Sequence, residues 1–98
     1  VVNIDSTQHY ALLALSLAEK KKYYTGQIRA LNLIAIFYSY KNKLDSGIIL
    51  NEQALAISLK HDIQKHRWAL YNDLAIDFSS VGDYEKSLDY YYKALEIP

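Results

Sequence analysis

The chain coincides with itself when slid by 40 residues, and this self-similarity restricts the possible folds more than any local feature does. Ala14-Leu15, Ala54-Leu55 and Ala94-Leu95 fall on one another, followed two residues later by Leu17, Ile57 and Ile97. Upstream, Asn3-Ile4-Asp5-Ser6, Lys43-Leu44-Asp45-Ser46 and Asp83-Tyr84-Glu85-Lys86 share the register, each a polar residue, a large apolar one and an acid. Between them, Asn32, Ala35, Ile36 and Ser39 meet Asn72, Ala75, Ile76 and Ser79. A constant step of this length means stacked copies of one small unit, each burying its apolar face on the next.

Within a unit the apolar spacing is helical. Leu31, Ile34, Ala35 and Tyr38 follow i, i+3, i+4, i+7, as do Tyr71, Leu74, Ala75 and Phe78. Ile48, Leu55 and Leu59 continue a second stripe, matched by Leu88, Tyr91 and Leu95. Lys41-Asn42-Lys43 and Val81-Gly82-Asp83 separate the stripes, with Asn or Gly placed to take the left-handed conformation that ends a helix. Asp45 and Asp83 then stand where a carboxylate accepts free N–H groups at a helix start. The spacing predicts five antiparallel helices over 5–21, 25–41, 45–60, 65–81 and 84–97. Composition agrees: with only three Gly and one Pro in 98 residues, the chain lacks the turn formers of a sandwich or barrel and the glycines of a phosphate-binding loop.

Trp68 to Pro98, carrying Leu74-Ala75, Phe78, Gly82-Asp83-Tyr84, Tyr91, Ala94-Leu95 and the closing Pro98, resembles a tetratricopeptide (TPR) repeat. Ile28 to Ser58 is similar to a second copy, with Asn42 in place of the glycine and Gly47 at a small helix position. Val1 to Ala18 resembles the second half of another. The resemblance implies an all-α, right-handed superhelical solenoid of antiparallel helix pairs. It divides the chain into 1–22 (half a repeat), 23–62 and 63–98 (one repeat each), as a piece of a longer array. The 40-residue period exceeds the usual 34 of the family and is similar to that of kinesin light chains and of bacterial peptide receptors and regulators. Small residues at Ala35, Ala54, Ala75 and Ala94 allow close helix approach, with Tyr38, Phe78, Tyr84 and Tyr91 filling the space between pairs.

Stacked pairs curve, and the first helix of each pair lines the concave side. Helical geometry puts Arg29, Asn32, Ile36, Ser39 and, at the end of the helix, Tyr40 on one strip, and Ala69, Asn72, Ile76 and Ser79 on the matching strip. The resemblance implies that this strip contacts a peptide or protein segment, with Asn32 and Asn72 bonding its main chain. A carboxamide both donates and accepts, so it pairs with a peptide unit whatever side chain that unit carries. The competing reading is that the two asparagines bridge helices within the fold. Chaperone-type TPR domains hold a terminal carboxylate with several cations, and Arg29 is the one cation on this strip.

Eleven cations balance eleven acids, so net charge gives no reason to expect nucleic acid or membrane as a partner. The charges are unevenly placed. Lys20, Lys21, Lys22, Arg29, Lys41 and Lys43 lie in a stretch without acids, whereas Asp73, Asp77, Asp83, Glu85, Asp89 and Glu96 face only Lys86 and Lys93 in theirs. No Cys is present, and no enzyme, metal or cofactor is expected. His61 and His66 miss the i, i+4 spacing of paired ligands, and His9 stands apart. Asp73 and Asp77 do share a helix face and are read as a solvated one. Tyr90-Tyr91-Tyr92 is flanked by acids rather than by the cations that base stacking requires, so Tyr91 is read as core with peripheral neighbours. The terminal helices lack a polar cap, which predicts an apolar face around Leu88, Tyr92 and Leu95, or around Leu12, Leu13 and Leu17, that meets another copy. The functional expectation is a non-enzymatic peptide- or protein-binding module of a bacterial signalling or regulatory protein. The alternative is a structural or oligomerising segment of a sensor kinase or transcription regulator.

Overall fold

Five helices follow one another: α1 (Ile4–Lys20), α2 (Tyr24–Tyr40), α3 (Leu44–Lys60), α4 (Arg67–Ser80) and α5 (Tyr84–Leu95). The computed structural model describes the backbone of residues 4–97 and the side chains of residues 8–97. Asn3 and Pro98 of the repeat pattern, and the Asp5 side chain, lie outside these. Every helix end falls within two residues of its expected position, and α1, α3 and α5 begin 40 residues apart at positions 4, 44 and 84.

The turns carry a finer repeat of 20. Lys22, Asn42, Asp62 and Gly82 all take left-handed backbone, with φ of 54°, 58°, 51° and 86°. At each turn the left-handed residue donates its N–H to the carbonyl three back, and the next residue donates to the carbonyl five back. The second bond runs from Tyr23 to Ala18 at 2.8 Å, Lys43 to Tyr38 at 2.8 Å, Ile63 to Ser58 at 2.9 Å and Asp83 to Phe78 at 2.8 Å. This paired closure satisfies carbonyls that a helix end otherwise leaves free. Asp83 also caps α5, its carboxylate accepting from the Lys86 N–H at 3.2 Å. Asp45 sits in the first turn of α3 behind Lys43, which makes no side-chain cap.

Between α3 and α4 the chain runs three residues further, through Gln64, Lys65 and His66, so α4 starts at 67 rather than 65. His66 is left-handed at φ 70° and its pKa is lowered, by burial first and then by the charges of Arg29 and Lys65. Arg67 fastens the loop: its Nε donates to Ser58 Oγ at 2.9 Å, and its Nη2 to the carbonyls of Ser58 at 2.9 Å and Ile63 at 3.2 Å.

Each helix packs on the next in sequence. Ile28, Leu31, Ile48, Leu55, Leu70, Leu74 and Phe78 form one buried cluster. Ala35, Ala54 and Ala75 are fully buried and Ala94 nearly so, as expected for close crossings. Copies 40 apart solve the same crossing in two ways. A Cβ on Gly47 would lie 3.1 Å from the Ala35 carbonyl oxygen, while Ser87 donates its hydroxyl to the Ala75 carbonyl at 2.7 Å.

The last helix corrects the sequence reading. Its inner face is Ser87, Tyr90 and Ala94, continued past the helix end by Ile97, with Tyr90 stacked on Phe78 at 5.7 Å. Burial, then Glu52 and Tyr71, raises the Tyr90 pKa. Leu88, Tyr91 and Leu95 face outward, as do Tyr84 and, on α3, Leu59. The outer stripe of α5 is at least as apolar as the inner one, so the neighbour on one side, not apolarity, decides which is core.

Candidate functional site

The strip inferred from spacing divides in two. Ile36, Tyr40 and Ile76 are exposed, at 36%, 74% and 46%, and together with Ser39 they line an open cleft of about 300 Å³ between α2 and α4. Asn51, Asp73 and Asp77 complete its lining. The half-buried Ser39 turns its hydroxyl back to the Ala35 carbonyl at 3.2 Å, a helix-internal bond that leaves its oxygen free to accept. Arg29 is exposed one turn before Asn32. Ala69, Asn72 and Ser79 are half-buried and do not line the cleft.

Asn32 is 2% exposed, and its amide is engaged inside the fold. The Nδ2 group donates to Asn51 Oδ1 at 3.0 Å and to Asp73 Oδ2 at 2.9 Å, and the Oδ1 atom accepts from Arg29 Nη1 at 3.4 Å. One carboxamide thus ties three helices together. A ligand's main chain would have to displace these bonds to reach it. Its repeat partner Asn72 makes no such bridge, because the residue 40 beyond Asn51 is Tyr91 on the outer face of α5.

Asp77 corrects the reading of a solvated acidic face: it is 6% exposed. Burial first, and then Asp73 one turn away, raise its pKa from 3.8 to about 6 against the opposing bond from the Asn51 side chain. Sequence reasoning missed Asn51 altogether and gave Asp73 and Asp77 no role in the groove. The i, i+4 spacing of the two acids was the available signal, but it does not say which helix face is covered. Asn51, mid-helix and without a repeat counterpart, had no periodic signal. Among the described residues no group of three or more His, Cys, Asp or Glu side chains could hold a metal ion, and no helix is long and apolar enough to cross a membrane.

No family model matches the sequence, and no curated protein matches it. The structure does have a counterpart. It superposes on the crystal structure of the TPR domain of Arabidopsis FLU with a TM-score of 0.87 and 22% sequence identity, over 94% of this chain and 77% of that one. At that identity the likeness speaks for architecture alone: the chain has the fold of a tetratricopeptide-repeat domain, a solenoid of stacked helix pairs.

Proposed function

We propose that this chain is a non-enzymatic protein-interaction module that holds a peptide segment in the groove between α2 and α4, within a bacterial signalling or regulatory protein. Residues 1–22, 23–62 and 63–98 are read as the successive units of its array. One observation carries the binding reading: Ile36, Tyr40 and Ile76 stand exposed around a single concave cleft with polar groups at its base. Exposed apolar side chains scattered singly need no explanation, but a cluster of them in a concavity beside fixed polar groups is the usual form of a binding site. Asn32 acts there by holding Asn51 and Asp73 in place. The setting in bacterial regulation draws its support from the long-period resemblance.

Selection from a displayed library of random decapeptides on the immobilised domain tests the groove. Enriched peptides are expected to bind the Ile36→Asp/Ile76→Asp variant about tenfold or more weakly than the parent, with both proteins equally helical by circular dichroism. Equal binding by the two would refute a groove site.

The structural alternative also has an observation in its favour. Leu88, Tyr92 and Leu95 on α5 are 54%, 62% and 79% exposed, and Leu12, Leu13 and Leu17 on α1 are about half exposed. Under that reading the chain associates through its end helices, and light scattering would show an oligomer that Leu88→Lys dissolves.

A further inference from the structure

We propose that the cleft receives a basic side chain of the bound peptide, its charged end reaching Asp73 and Asp77 and its aliphatic stem lying along Ile36 and Ile76. This rests on the groove reading above. The first ground is charge balance: the lining holds two carboxylates and no cation. Arg29, the cation on the same strip, has its guanidinium on Asn32 and on neither acid. The second ground is Asp77 itself. It is more than nine-tenths buried yet lines the cleft, and the side chain that favours its charge is the neutral Asn51 amide. A carboxylate withdrawn from water without a cation is unfavourable, and an entering ammonium or guanidinium relieves that.

The shape of the site points to the same class of ligand. Asp73 has one oxygen occupied by Asn32, which leaves the other for a ligand. The two acids stand one helical turn apart, a separation that a forked guanidinium spans. Ile36 and Ile76 suit a methylene stem, and the exposed Tyr40 ring at the rim can stack against a cation. An acidic side chain would meet two like charges. An aliphatic one would cover both carboxylates without bringing them a cation.

Four pools of random decapeptides, each with one central position fixed as Arg, Lys, Gln or Glu, test this by fluorescence anisotropy against the whole chain. The Arg and Lys pools are expected to bind at least about tenfold more tightly than the Gln and Glu pools, the effect of one charge-assisted hydrogen bond. That preference should shrink in Asp73→Asn and in Asp77→Asn, both near-isosteric, and at high salt. Pools that bind the parent equally, or a Glu pool that binds best, would overturn the basic-ligand assignment while leaving the groove in place. A preference that survives both Asn variants overturns the role of the two acids. Binding by none of the pools overturns the groove together with its ligand.

Discussion

Replacing Asp77 by Asn should make the protein more stable at neutral pH, although it alters a buried, bonded residue. Burial and Asp73 raise the carboxyl pKa from 3.8 to about 6, so at pH 7 folding works against holding this group ionised. A rise of that size corresponds to ~3 kcal/mol as an upper bound, since one pKa unit is ~1.4 kcal/mol. The neutral amide avoids that penalty and still accepts from Asn51, and solvent screening in the open cleft keeps the gain below that bound. The net expectation is a gain of ~1–2 kcal/mol at pH 7. Because the folded pKa is the higher one, the parent is best off below pH 3.8 and loses this contribution as pH rises through about 6. The advantage of Asn should therefore fade as the solution is acidified. Urea denaturation followed by circular dichroism at steps from pH 4 to pH 8 reads the difference between the two proteins, in which the shared carboxylates cancel. A variant less stable than the parent at pH 7, or a gap that stays constant down to pH 4, would show that the Asp77 environment does not disfavour its charge.

Lys22→Gly relieves a left-handed residue at no packing loss and should add ~0.5–1 kcal/mol, seen as a higher melting temperature. Gly82→Ala should lower stability by a similar amount through backbone strain alone, because a Cβ there would meet nothing within 4 Å. Arg67→Ala removes three bonds to Ser58 and Ile63 and should cost ~1–3 kcal/mol in urea unfolding, with faster amide exchange confined to residues 61–66. Asn32→Ala strands Asn51 and Asp73 and should cost ~2–3 kcal/mol. A change within ~0.5 kcal/mol, the range of ordinary surface substitutions, would mean that the three-helix bridge contributes nothing.

The repeat made the architecture readable because it shows in the sequence as coincidences at fixed spacing. Helix limits followed from turn chemistry at Asn42 and Gly82. The equivalent turns at Lys22 and Asp62 carry a weaker signal, since Lys does not favour left-handed backbone and Asp favours it less than Gly or Asn; the local backbone bonds that close each turn hold these exposed residues there. Helical geometry put Ile36 and Ile76 on the inner strip, and they line the cleft together with Tyr40. Asn32 was assigned to the same strip, yet its bonds go to residues 19 and 41 positions away, and periodicity along a single helix contains no information about those partners. Tyr84 and Tyr91 of α5 were read as filling the core, but they face outward, for a related reason: apolar spacing identifies a face fit for burial but not the neighbour that buries it.

The recurrence of one turn geometry every twenty residues separates how such a chain lengthens from how it presents a surface. Adding a single helix and its turn would preserve every local bond while exchanging inner and outer rods for all that follows. Duplications that keep a continuous inner wall therefore come in steps of two rods. The three extra residues between α3 and α4 are offset by a following rod three residues shorter than its predecessors, so the alternation of inner and outer rods continues undisturbed through α5.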